Sequence, residues 1–418
     1  MSILMTVTFF ILMFASVPVA YALIIAGSVA VLSENMAQAP LVIVKLFTPT
    51  QSYPLLAIPF FILAGSLMMS GSLGRKLVGF AAALVGRYPG GLGQVSVVGS
   101  TVFGGVSGSA VAEASALGSM LIPWQKREGY PPAFAAAVTA SSSVIAGLIP
   151  PSIPLIIYAT VSNTSIASLF IAGILPGLML ALGLMVVCYV SARRRGFPVI
   201  SREQAGLIRD NFWAALPALL MPVFILILLR AGIATPTEVS VVAVAYALVI
   251  SSVLYRDMTI HRLMAALKET GIATGVVMMV IMGSNLVGYV LTSERIPDTI
   301  AQWALNTLGS PALILLVMNA LLLVVGMFLD LPAAILLLGP TLVGIGQAIG
   351  IDPVQLGIIV AVNLSIGLFT PPIGTTLFIS SSIARQPIGA VVRELWPFYL
   401  VAFTVLMLFT FIPALTIY

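Results

Sequence analysis

AGLIPPSIPLIIYA (146–159) and GLFTPPIGTTLFISSS (367–382) decide the reading of this 418-residue chain. Each is an apolar stretch cut by a Pro–Pro pair, and an offset of 221 residues lays Pro150 and Pro151 on Pro371 and Pro372. Proline lacks a backbone donor and clashes with the preceding turn, so no apolar helix runs unbroken through either pair. The same offset, without a gap, lays Gly105 on Gly326, Gly118 on Gly339, Leu121 on Leu342, Gly129 on Gly350, Pro132 on Pro353 and Pro176 on Pro397. Overall identity is low, but the matches fall on Gly and Pro, where backbone geometry is decided. VAYAL occurs at 19–23 and again at 244–248. The chain therefore reads as two repeated halves, 1–205 and 206–418.

Composition supplies the solvent. The chain is 60% hydrophobic and 7% charged, against roughly 25% charged residues in a soluble domain. Such a chain is solvated by lipid, with spans of roughly 20 apolar residues each. Spanning helices are expected at 3–32, 53–72, 165–191, 213–229, 236–254, 270–291 and 395–417. Residues 73–89 (LGRKLVGFAAALVGRYP) read as an amphipathic interfacial helix. The apolar stretch 92–122 is interrupted by Gly104, Gly105 and Gly108 and reads as a re-entrant hairpin. Residues 132–159 read as a broken helix at Pro150, Pro151 and Pro154. The second half repeats the pair, with a hairpin over 312–347 interrupted at Asp330 and Pro332, and a broken helix over 354–382. The first apolar run is too long for a cleavable signal, and no basic residue precedes it. The lone Cys188 excludes a disulfide framework within the chain. The net charge of +5 sits in short clusters between apolar runs, as loop charges do, and is no nucleic-acid signal.

Those clusters fix an expected topology. With Arg193, Arg194, Arg195, Arg202 and Arg209 cytoplasmic, two crossings back put Lys126 and Arg127 inside, and Arg75, Lys76 and Arg87 also fall inside if 92–122 is re-entrant. Walking forward puts Arg256, Arg262 and Lys268 inside, opens hairpin 312–347 from the periplasmic side, and leaves Arg385 and Arg393 inside. The halves are then inverted, with the N-terminus cytoplasmic and the C-terminus periplasmic. Lys45, Arg230 and Arg295 are exceptions to the charge bias.

Inverted repeats with broken helices are the plan of secondary transporters. Bare backbone at membrane depth must line a cavity or face protein. Half-helix N-termini there attract carboxylates, and C-terminal carbonyls coordinate Na⁺. The hairpin tips carry suitable atoms: GGVSGSAVAEASALG (104–118) offers Ser107, Ser109 and Glu113, and GMFLDLPAAILLLG (326–339) offers Asp330, which the offset lays on Ser109. Plainer roles compete. Ser107 or Ser109 could only cap the second arm of the first hairpin, Asp330 before Leu-Pro is a good N-cap, and Glu113 could be a structural hydrogen-bonding group. The Ser141–Ser143 run could simply permit close helix packing. Thr235-Pro236-Thr237-Glu238 fits a capping box. His261 lies in a polar loop, and neither it nor Cys188 suggests chemistry.

At these residues the sequence resembles the large membrane subunit of tripartite ATP-independent periplasmic (TRAP) transporters. The resemblance rests on SYPLLAIPFFILAGSLM (52–68), GGVSGSAVAEASALGSMLIP (104–123), AGLIPPSIPLIIYA (146–159), GIATPTEVSVVAVAYAL (232–248) and GLFTPPIGTTLF (367–378), and it covers essentially the whole chain. It implies an all-α, elevator-type carrier of a bacterial inner membrane. Such a carrier takes up a small organic acid with Na⁺, at two or more sites, and works with a small membrane subunit (Q-type) and a periplasmic substrate-binding protein. Carried over residue by residue, it implies substrate contacts at Ser107, Ser109, Ser152 and Asp330. Na⁺ contacts are implied at Ser107, Gly147, Pro150, Gly326, Gly367, Thr370 and Pro371. The alternative is a stand-alone ion-coupled anion transporter of related fold. A membrane-embedded hydrolase would need His, Cys or paired acids at depth and a motif such as H-E-x-x-H, and the chain has one loop His and no such motif. No G-x-x-x-x-G-K-[ST] is present for ATP hydrolysis by this chain.

Overall fold

The computed structural model describes residues 1–34, 39–69, 71–199 and 207–418. Arg202 and the boundary between the halves lie outside the described residues. The described residues are helical throughout, without strands.

The first half begins with α1 (Ser2–Phe14), α2 (Val19–Glu34), α3 (Ala39–Phe47) and α4 (Ala57–Met69), the last entered through two 3₁₀ turns. The amphipathic α5 (Leu73–Val85) follows. The first hairpin is α6 (Gly91–Ser107) and α7 (Ala110–Arg127). The first broken helix is α8 (Pro132–Ser142), a 3₁₀ turn over Ser143–Gly147, and α9 (Ile153–Ser162). Then α10 (Ile166–Arg195) closes the half. The second half runs α11 (Ile208–Arg230), α12 (Pro236–Val249), α13 (Ile260–Ser293) and α14 (Ile296–Leu308). It continues with a hairpin of α15 (Pro311–Gly326) and α16 (Leu331–Ala348), a broken helix of α17 (Pro353–Gly367) and α18 (Thr375–Ala384), and α19 (Ile388–Phe411).

The interruptions fall where the sequence puts them, with local causes. Ser109 caps α7 by accepting from the Ala112 N–H at 3.4 Å. Between α6 and α7 Gly108 turns left-handed, at φ +61°, and Ser109 is extended; a Cβ on Gly108 would stand 2.3 Å from the Pro151 carbonyl oxygen. Gly104 and Gly105, expected to interrupt the stretch as well, stay helical. They are small because partners press on them: a Cβ would meet Ala146 Cα at 2.8 Å and Pro222 Cγ at 2.6 Å, respectively. Both Pro–Pro bonds are cis. Thr235 and Glu238 form the expected reciprocal capping box.

Inversion can be read from three contacts. Gly90, at the base of the first hairpin, abuts Cys188 and Ala192 near the end of α10. Gln355, at the start of α17 just after the second hairpin's closing arm, donates to the Phe409 carbonyl at 3.0 Å near the end of α19. Arg195, at the end of α10, pairs with Glu394 near the start of α19 at 2.6 Å. Helices α10 and α19, which the 221-residue offset relates, are therefore antiparallel, and the two hairpins enter from opposite sides.

The N-terminal run corrects the expected topology. Residues 3–32 are not one span: Pro18 and the left-handed Ser16 (φ +62°) split them into α1 and α2, which pack on each other. Met1 and Ser2 bind Glu294 at the end of α13 opposite Arg262, so the N-terminus does not share a side with the Arg256–Lys268 cluster. Lys45, an exception to the charge bias, places its ammonium 4.7 Å from the Tyr289 ring centre, a favourable setting for a cation.

Helices α2 and α4 pack against α13, and α12 packs against α4, forming one body. The hairpins and broken helices form a second: α18 packs on α7 and α8, α15 on α17, and α16 on α9. The arm helices α5 and α14, also related by the offset, lie against α6 and α16 respectively.

Candidate functional site

A cavity of about 360 Å³ lies where these two bodies meet. The first hairpin contributes Ser107 through Ala112, and the first break contributes Gly147, Ile153 and Pro154. Asp330, Leu331 and Pro332 of the second hairpin face them, with Leu368 from the second break. The opposite wall is Ile62, Gly65, Ser66 and Met69 of α4 and Glu269, Ala273, Val276 and Val277 of α13. Ligand sites in membrane carriers sit at such repeat interfaces, where freed backbone lines a cavity.

Each tip is held by close backbone contact. A Cβ on Gly65 of α4 would approach the Val106 carbonyl oxygen to 3.1 Å. In the second half, a Cβ on Gly367 would meet the Gly326 carbonyl at 2.4 Å. The offset lays Gly367 on Ala146, which presses on Gly104 in the first half. Each hairpin's first arm thus touches its own broken helix at the same place.

The expected substrate residues divide. Ser107 is buried, lines the cavity, and its hydroxyl has no hydrogen-bond partner. Ser109 lines the cavity while capping α7, so its capping role is real and does not remove it from the wall. Ser152 stands behind the wall: it caps α9, fully buried, and donates to the Gly147 carbonyl at 2.6 Å. Asp330 occupies the N-cap position of α16, where its side chain makes no cap hydrogen bond of ordinary geometry, interacts with the Leu331 N–H, and faces the cavity. The cap position and the cavity wall coincide at this acid.

The expected cation residues fall into two groups. Ser107 and Gly147 meet in the cavity wall, with Pro150 just behind, its carbonyl 3.5 Å from a Cβ position on Gly105. Gly326 and Gly367 touch each other at the second break, and Thr370 and Pro371 follow them. The Thr370 hydroxyl donates to the Ile366 carbonyl at 2.7 Å, and Tyr399 donates to the Phe369 carbonyl at 2.8 Å. Thr376 bridges the two breaks, within 3.0 Å of the Ala140 carbonyl and 2.9 Å of the Leu368 carbonyl. The hydroxyl and carbonyl oxygens at both breaks are hard donors, a chemistry suited to a monovalent cation.

Sequence reasoning missed Glu269. It stands in a charged Lys-Glu-Thr-Gly stretch that reads as a loop, yet it belongs to α13 and shares a face with Ala273, Val276 and Val277. The i, i+4, i+7, i+8 spacing of those four residues was the available signal.

The chain matches, over residues 6–415, the family described as "Tripartite ATP-independent periplasmic transporter, DctM component". It is 53% identical over 422 residues to the uncharacterized protein y4mL of Sinorhizobium fredii, covering 100% of both chains. It is 41% identical over 374 residues to the C4-dicarboxylate TRAP transporter large permease protein DctM of Pseudomonas aeruginosa, covering 90% of this chain and 88% of that one. Its fold is similar to the crystal structure of the Alcanivorax borkumensis YdaH transporter, described as having an unusual topology, with a TM-score of 0.61 at 16% identity over 88% of this chain and 86% of that one. With its paired hairpins and breaks around one cavity, the chain belongs to the tripartite ATP-independent periplasmic transporter family, as a multi-pass large permease of the DctM type.

Proposed function

We propose that this permease carries a small organic acid, of the C4-dicarboxylate class, into a bacterial cell across the inner membrane with Na⁺, after a periplasmic binding protein delivers it. The observation that supports this most is the single cavity walled by both hairpin tips, both breaks and two helices of the other body. Ser107, Ser109 and neighbouring tip N–H groups would meet a carboxylate, and Asp330 would contact a hydroxyl or the coupling cation. Ser107, Gly147 and Pro150 would hold one Na⁺, and Gly326, Gly367, Thr370 and Pro371 another. Bound Na⁺ would offset the anionic charge of the cargo.

In this reading the hairpins and broken helices move as an elevator against α2, α4, α12 and α13. The halves 1–205 and 206–418 are the two inverted repeats, and both termini are periplasmic. The wide lipid-facing surface of α11 and α12, with Trp213, Leu220, Val223, Val241 and Val249 exposed, suits a small membrane subunit. Reconstitution tests the proposal. Succinate uptake into proteoliposomes should require an inward Na⁺ gradient, the small subunit and the binding protein, and no ATP. Uptake by the permease alone would favour the stand-alone carrier, and uptake driven by ATP would overturn the proposal.

A further inference from the structure

Glu113 takes no part in the cavity wall, although its neighbours Ala112 and Ala116 do. It lies one turn inside α7 from Ser109, at 0% exposure, and neither carboxylate oxygen has a hydrogen-bond partner of ordinary geometry. The Ser100 hydroxyl on α6 interacts with it but spends its own hydrogen on Ser142 of α8, at 2.9 Å.

The surroundings offer nothing to neutralise it. The elements packed most extensively on α7 are α6, α8, the Ser143–Gly147 turn and α18, and none contains an Asp, Glu, Lys, Arg, His, Tyr or Cys. On α7 itself, Lys126 and Arg127 stand at the far end, more than three turns away. A buried carboxylate without counter-charge or donors is strongly disfavoured and takes up a proton instead. Among the described residues no cluster of three His, Cys, Asp or Glu side chains could hold a metal. The offset lays Glu113 on Ala334, so the second hairpin has no counterpart.

We propose that Glu113 is a proton-binding site built into the first hairpin, loaded and unloaded through the adjoining cavity. Binding adds H⁺ from cavity water to one carboxylate oxygen. Release breaks that O–H bond and returns the proton to cavity water when the tip opens. The proton site stands on the burial and surroundings of Glu113, and only its consequence for coupling rests on the carrier reading.

Infrared difference spectroscopy of the reconstituted permease tests it without substrate. Wild type should show a protonated-carboxyl C=O band that is lost reversibly as the pH is raised, absent from Glu113→Gln and retained in Asp330→Asn. Should Glu113→Gln fail to fold, Glu113→Asp should show the band displaced. A Glu113-dependent band unchanged across the whole pH range the protein tolerates overturns the proposal, as does a Glu113-dependent ionised-carboxylate band that shifts when Na⁺ replaces K⁺. A titrating band in a chain that fails to take up succinate removes the carrier reading and leaves the site. Uptake without the band does the reverse.

Discussion

The two hairpins share a backbone plan and hold different chemistry. Both turn beside a broken helix, and both press a first-arm glycine on the repeat-related residue of that helix, Gly104 on Ala146 and Gly326 on Gly367. At the tip, the first hairpin has Ser109, which caps its second arm, while the second has Asp330, which makes no cap bond of ordinary geometry and faces the cavity. One turn further in, the first has Glu113 sealed from the cavity and the second has Ala334, also buried. The repeat preserved where the chain must break and let the side chains at the break diverge. Geometry common to both halves is therefore read as scaffolding, and differences between them as function.

The largest expected effect sets Asp330 against Ser109. Hydrogen bonds to a charged group contribute roughly 1.5–3 kcal/mol, and the upper end corresponds to about 100-fold. Asp330→Asn should lower succinate uptake by about that factor with membrane insertion intact. Ser109→Ala, losing a cap worth about 1 kcal/mol and one of several contacts to the carboxylate, should lower uptake far less. Equal rates in the two variants would break the contrast between the tips.

Next comes the shared backbone contact. Gly367→Ala places a Cβ 2.4 Å from the Gly326 carbonyl, an overpacking expected to cost about 1–3 kcal/mol, visible as a lower thermal midpoint in detergent. Gly389 has nothing within 4 Å of a Cβ position, so Gly389→Ala should be silent.

A smaller effect separates the polar staples between hairpin and broken helix. In the second half, Asn363 donates to Asn319 at 2.7 Å, and Asn319 donates to Thr410 at 3.1 Å, all three buried. In the first half, the repeat-related position of Asn363 is Ser142, which takes one hydroxyl bond from Ser100. Asn363→Ala leaves buried amide partners unpaired and should cost about 1–3 kcal/mol, whereas Ser142→Ala should cost about 1 kcal/mol. Chemical denaturation in mixed micelles would compare them.

The smallest effect concerns the arm helix of the first hairpin. Asp257 accepts from the Ser72 N–H at the start of α5 and lies 3.8 Å from Arg262. Lys76 of the same helix sits 3.6 Å from the Tyr255 ring centre. Partial burial opposes the charge on Asp257, but Ser72, Arg262 and Lys76 outweigh it and hold the carboxyl below its ordinary value. A folded-state value below the unfolded one stabilises above the ordinary carboxylate range and is lost as pH falls through the folded value. The thermal midpoint of wild type should drop over that acidic window, and Asp257→Asn should flatten the drop.

The hairpins and breaks were legible because Gly and Pro act through the backbone alone, and an offset repeat makes them visible twice. The split of α1 from α2 was less so. Pro18 stands in an uncharged apolar run, and the related break, between α11 and α12 at 231–235, is displaced from its offset position at Val239. Gly104 and Gly105 looked like interruptions, but a glycine serves close approach as well as a turn, and the distinction depends on Ala146 and Pro222, distant in sequence. Ser107, Ser109 and Asp330 line the cavity. Ser152 does not, because its hydroxyl is spent on Gly147. Glu269 depended on how α13 packs against the hairpins, which no local pattern states.

The central claim is that the interruptions, and not the apolar runs around them, enclose one aqueous cavity. Thiol labelling in a Cys188→Ser background tests it most directly, with single cysteines at Ser109, Pro332 and Ala273 in the cavity wall and at Val186, 61% exposed on the outer face of α10. All three wall positions should react with a water-soluble maleimide and be protected together by succinate and Na⁺, while Val186→Cys stays unreactive in lipid. Reaction at Val186→Cys equal to the wall positions, or protection of one hairpin without the other, would contradict a shared site.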